Sequence, residues 1–280
     1  MKIRKVKNIT ESRPTMEGAG VKLHRAFGFG DTKATDPFLL LDDFRGDRPG
    51  DYMSGFPWHP HRGIETITYM FEGEVEHGDS IGNSGVIGAG DVQWMTAGSG
   101  IIHQEMPKES KSGRMGGFQL WANLPAKQKM TTPKYRGLKA KDIPSLKDAS
   151  GEVKLICGEY KGVKGPVRDV VIEPEYFDVM LKAGGKFEHP VKDRHNCFAY
   201  VYDGEASFAG KAAGNRSLVY FEDTGNVSAV AGKEGASFLL ISGKPLKEPV
   251  AWYGPIVMNT DKELEKAFTE YENGTFIKKK

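Results

Sequence analysis

Phe56-Pro-Trp-His59-Pro-His61-Arg-Gly-Ile-Glu65 and Ser99-Gly-Ile-Ile-His103-Gln-Glu105 are the stretches that decide the fold of this chain. In each, two metal-competent side chains stand at i and i+2, and on an extended strand that spacing turns both to one face. Two such strands side by side aim four ligands at one point. Imidazoles with a carboxylate suit iron, nickel, copper, zinc or manganese better than calcium, which prefers oxygen donors. The pattern therefore asks for a β scaffold that encloses a mononuclear centre built from His59, His61, His103 and a carboxylate. Glu105 has His-x-Glu geometry, and Glu65, four residues after His61, competes with it.

The flanking sequence reads as strands and turns. Gly20 to Phe29 nearly alternates, Asp36 to Phe44 is a short apolar run closed by acids, and Gly46 to Gly55 is a loop. Ile64 to Phe71 is β-branched and leads through Glu72-Gly-Glu into Val75–His77, which predicts a hairpin. Asp91 to Met95 and Gly117 to Asn123 are further strands. Asp42 and Asp43 end a strand, where acids usually cap a turn. The 35 glycines fit a chain with many turns between short strands.

Composition removes several function classes. Lys and Arg (39) nearly balance Asp and Glu (37), a poor footprint for nucleic acid, and only the terminal Lys278–Lys280 form a basic run. Cys157 and Cys197 are too few for a disulfide framework and match no CxxC pattern. No apolar run approaches the 18 or so residues of a membrane span, and no secretory h-region follows the basic start. A cytoplasmic location is expected. No Ser-His-Asp arrangement, GxGxxG or Walker frame is readable.

From Lys127 to Ser150 the chain turns Lys-rich and Pro-punctuated, which places a boundary there and predicts domains 1–135 and 136–280. Setting Glu72-Gly73-Glu74 over Asp203-Gly204-Glu205 puts Tyr69 on Tyr200, and His59, His61 and Glu65 on Pro190, Lys192 and Asn196. The second half reads as a duplicate without ligands, and His189 and His195 take ordinary structural roles. Thr260 and Glu263 form a capping box for a helix with apolar positions Leu264, Ala267, Phe268 and Tyr271, stopped by Asn273-Gly274.

Together, Asp36-Pro-Phe-Leu-Leu-Leu-Asp-Asp-Phe44, the His59-Pro-His61 frame, Gly98-Ser-Gly-Ile-Ile-His103-Gln-Glu105, Phe118-Gln-Leu-Trp-Ala-Asn-Leu-Pro125 and Trp252-Tyr-Gly-Pro-Ile-Val-Met-Asn259 resemble the pirin family of the cupin superfamily. The resemblance implies an all-β bicupin: two antiparallel β-barrels of jelly-roll type and a short C-terminal helix, with metal in the N-terminal barrel only. It places the ligands on His59, His61, His103 and Glu105 and implies one divalent ion, usually Fe(II), with Ni, Cu, Mn, Co and Zn as alternatives. Glu65 then becomes an acceptor behind an imidazole. For bacterial members it implies quercetin 2,3-dioxygenase activity, with a flavonol and O2 as partners and Glu105 as the base that takes the substrate proton. For others it implies an iron-dependent redox-sensing regulator that acts through protein contacts, without nucleic acid or membrane.

Overall fold

Short alternating runs separated by glycine turns become antiparallel strands, which make up 55% of the chain against 9% helix in the computed structural model. It describes residues 2–278; Lys279 and Lys280 of the terminal basic run lie outside them. Two compact units are present, and each is discontinuous in sequence. One comprises Pro14–Ala140 with Leu246–Lys280, the other the segment up to Arg13 with Lys141–Pro245. The chain passes between the units at 13/14, 140/141 and 245/246, so neither unit is one of the contiguous segments 1–135 and 136–280.

In the first unit a seven-stranded sheet runs in the order Lys134–Leu138, Val92–Thr96, Ile64–Glu72, Gly116–Asn123, Phe38–Asp43, Val21–Phe27 and Arg13–Glu17. A four-stranded sheet runs in the order Phe56–His61, Ile101–Lys108, Glu74–Asp79 and Ser84–Ile87. The expected hairpin across Glu72-Gly-Glu is not formed. Gly73, at φ +81°, turns the chain out of the larger sheet, and Glu74–Asp79 pairs with Ile101–Lys108 in the smaller one. The loop Gly46–Gly55 contains a short helix, Pro49–Tyr52, started by its proline.

The terminal helix, Asp261–Glu272, has the expected capping box: Glu263 N–H donates to Thr260 Oγ1 at 3.2 Å, and Thr260 N–H donates to the Glu263 carboxylate at 3.0 Å. Buried Ala267, with Leu264 and Phe268, packs on Ile256, Met258 and Phe276. The helix therefore belongs with the histidine-bearing unit, not with the second barrel as the sequence suggested.

The second unit carries a nine-stranded sheet built around two long strands, Asn196–Phe208 and Asn226–Gly243. Its core includes Phe177, Phe187, Phe208, Phe238 and Leu240. The strand Val6–Glu11 pairs with Ser217–Phe221. Arg4, fully buried, donates to the carbonyls of His195 at 2.9 Å and Lys192 at 3.0 Å. His189 Nε2 meets Glu175 Oε1 at 2.8 Å, and Ser242 Oγ donates to the other carboxylate oxygen at 2.7 Å. That is the structural role expected of a buried histidine.

Candidate metal centre

His59 and His61 share one face of the strand Phe56–His61, and His103 is the direct cross-strand partner of His59. The three imidazoles converge, with candidate ligand atoms all within 4.8 Å of one another. Among the described residues this is the one group of three or more such side chains.

Hydrogen bonding sets the tautomers. His59 Nδ1 lies 2.8 Å from the Pro57 carbonyl and His61 Nδ1 2.9 Å from the Pro255 carbonyl. A carbonyl only accepts, so each Nδ1 carries the proton and each Nε2 presents a lone pair. The two Nε2 atoms are 3.1 Å apart. Two facing lone pairs at that distance repel unless an electrophile lies between them, and two nitrogens each about 2.1 Å from one ion at a right angle would be about 3 Å apart. Both ring nitrogens of His103 are buried without a hydrogen-bond partner. Burial holds all three imidazoles neutral: it lowers His59, lowers His61 to about 3 with help from His59, and lowers His103 well below the usual range. Neutral, convergent imidazoles with an orphaned member are what a divalent metal requires.

The two carboxylates have different places. Glu105, buried in the same cavity wall, is not part of the histidine group; its Oε1 accepts from Thr68 Oγ1 at 2.9 Å and its Oε2 from Gln119 Nε2 at 3.1 Å. Burial raises its pKa against the opposing effect of these two donors. Glu65 lies three residues before Thr68 on the unbroken strand Ile64–Glu72, so it faces the opposite side. There it accepts from Thr96 Oγ1 at 2.5 Å. Equal parity with His61 fails because the chain is reset at Gly63, at φ +79°, where a Cβ would stand 1.9 Å from the Val257 carbonyl.

A cavity of about 590 Å³ opens onto His59, His61 and Glu105. Its apolar wall includes Val21, Leu23, Phe44, Phe56, Trp121 and Trp252. Trp58, next to the histidine pair, is exposed, and Met70, Trp94 and Phe118 are core. Gln119 lines the cavity because its strand partners Asp42 and Thr68 do. His77 is buried, with its Nε2 2.6 Å from Tyr135 Oη and the two rings stacked.

Two buried cations brace the site. Arg62 donates to Ser99 O at 2.8 Å, Phe276 O at 2.9 Å and Glu270 Oε2 at 2.7 Å. Lys129 donates to Gly63 O, Asn123 Oδ1 and Val257 O at 2.9, 2.7 and 2.9 Å. Neither stood out in the sequence, because isolated basic residues normally lie at the surface.

Known proteins share this arrangement. The pirin family model matches residues 20–122, and the model of the pirin C-terminal cupin domain matches residues 176–277. The chain belongs to the pirin family. As a pirin it is 45% identical over 280 residues to a pirin-like protein of Caulobacter vibrioides, covering 99% of this chain and all of the relative. It is 43% identical to a Pseudomonas aeruginosa protein provisionally named a quercetin 2,3-dioxygenase, with 97% of each chain covered. A crystal structure titled quercetin 2,3-dioxygenase from Acinetobacter baumannii superposes with a TM-score of 0.91 at 32% identity, covering 98% of this chain and 99% of that one. The architecture is that of a two-domain cupin.

Proposed function

We propose that this pirin is a metal-dependent dioxygenase that cleaves flavonol-type aromatic substrates. His59, His61 and His103 hold the metal and Glu105 stands as fourth donor and base. The observation that carries the reading is the convergent triad of neutral imidazoles, two of which, His59 and His61, open onto an apolar cavity. The names of the relatives from Pseudomonas and Acinetobacter point the same way.

A divalent, redox-active ion, Fe(II) first among the first-row metals, would supply Lewis acidity toward paired oxygen donors and one-electron chemistry with dioxygen. The chain supplies the rest. Phe44, Trp121 and Trp252 offer flat apolar surface to aromatic rings and exclude water. Glu105, its basicity raised by burial, takes the proton of the substrate hydroxyl.

Thr68 allows Glu105 to exist in both states. Its Oγ1 is 2.9 Å from Glu105 Oε1 and 2.9 Å from Gln119 Oε1, and it has one proton to give. With Glu105 ionised, Thr68 donates to the carboxylate. Once Glu105 is protonated, its O–H can donate to Thr68 Oγ1 while the threonine proton turns to Gln119.

The test is anaerobic loading with Fe(II), followed by quercetin and air. The expected result is bleaching of the flavonol absorption band with release of carbon monoxide. Absence of turnover with every first-row divalent metal would overturn the reading.

A further inference from the structure

The cavity has a second polar pole. Asp42 lines it, 5% exposed, and both of its oxygens accept from Arg25, from Nε at 2.8 Å and from Nη2 at 2.7 Å. Arg25 in turn meets Glu17 at 2.9 Å. Asp42 is the register partner of Arg25 on one side and of Gln119 on the other, and Gln119 is the partner of Thr68. One transverse row across the sheet therefore runs Arg25, Asp42, Gln119, Thr68. Its inner end, Gln119 and Thr68, holds Glu105. With strands about 4.8 Å apart, Asp42 stands roughly two strand spacings, on the order of 10 Å, from the metal end.

We infer that Asp42, fixed by Arg25, is the specificity-determining acceptor for a hydroxyl donor at the far end of the ligand. This rests on the reading of the cavity as a site for flat aromatics anchored at the histidines. A carboxylate offers about four lone-pair directions, and Arg25 uses two. Burial pushes Asp42 up to about 6 despite Arg25, so the ionised carboxylate is under-solvated and gains from a further donor. Glu17 and Asp42 against Arg25 leave the pole with an excess negative charge. It accepts a neutral phenol and rejects a carboxylate. The substrate class is thus an aromatic with paired oxygen donors at one end and a free phenolic hydroxyl at the other. The apolar wall between the poles is indifferent to ring substitution.

The test uses full-length protein loaded with Ni(II) and kept anaerobic, with binding read by quenching of tryptophan fluorescence. The probes are galangin, which has no hydroxyl on the pendant ring, kaempferol, which adds one, and the methyl ether of that hydroxyl, which cannot donate. Kaempferol should bind roughly tenfold to a hundredfold more tightly than the other two. Asp42→Asn should bring kaempferol to within about threefold of galangin and leave galangin unchanged. Equal binding of the three probes by the wild type overturns this inference while leaving the flavonol reading in place. A preference that survives Asp42→Asn also overturns it. Failure of all three to bind overturns both. The comparison with the methyl ether needs no variant, so it decides the donor question even where Asp42→Asn does not fold.

Discussion

Arg62 and Glu270 are 208 residues apart in sequence and 2.7 Å apart in space. Arg62 follows His61 directly, and Glu270 lies in the last turn of the terminal helix, so the ion pair ties that helix to the histidine strand. Arg62→Met removes the guanidinium that donates to Ser99 O and Phe276 O while Glu270 keeps Lys278 at 2.6 Å, and should cost about 3 kcal/mol. Urea denaturation should show an earlier midpoint, and limited proteolysis should clip the chain near Thr260. An unchanged midpoint would show that the pair contributes nothing.

Metal content separates the two carboxylates. His103→Ala should abolish stoichiometric metal, and Glu65→Gln should retain it, because Glu65 faces away from the cavity. Glu105→Gln should lower affinity by roughly tenfold to a hundredfold. Equilibrium dialysis with elemental analysis makes the comparison. Full retention by Glu105→Gln with loss in Glu65→Gln would reverse the assignment.

Thr68→Val keeps the shape of the wall and removes the proton that passes between Glu105 and Gln119. Metal content should stay at wild-type level while kcat falls by about a hundredfold. A variant with normal kcat would exclude the hydroxyl from proton handling.

Asp42 gives stability a defined acid dependence. Its ordinary value is 3.8 and its folded value about 6, so between these limits the folded state binds a proton that the unfolded chain has released. The contribution is fully present below about pH 3.8 and is lost as pH rises through about 6; two pK units correspond to about 3 kcal/mol. On acidification from pH 7 to pH 4.5 the wild type should gain about 2 kcal/mol of stability relative to Asp42→Asn. Parallel pH curves for the two proteins would falsify the assignment.

Lys129→Ala removes the side-chain donor to the Val257 carbonyl and leaves the Gly63 carbonyl with only the longer Leu124 N–H bond at 3.3 Å. A loss of about 3 kcal/mol is expected, with weakened metal binding because Gly63 sets the turn after His61. Differential scanning calorimetry with and without metal reads both effects.

The convergence of His59, His61 and His103 was legible in the sequence because side chains at i and i+2 of a strand share one face. The sequence misled wherever a glycine resets parity. Gly63 reverses the facing of Glu65, and Gly73 sends Glu74–Asp79 into the other sheet. Arg62 and Lys129 were invisible for another reason. Each matters through partners distant in sequence, and no local periodicity encodes such pairings. The exchange of terminal segments was hidden likewise, since Val6–Glu11 finds its partner at Ser217–Phe221.

That exchange has a consequence for how the protein is made. The histidine-bearing unit draws Pro255, Val257, Glu270 and Phe276 from the segment after residue 246. During synthesis, domains generally fold in order of emergence, but here His59, His61 and His103 leave the ribosome long before the carbonyl that orients His61. His61 therefore gains the acceptor that fixes its tautomer only after residue 255 has been made, a step for which His59, with its acceptor at Pro57, does not wait.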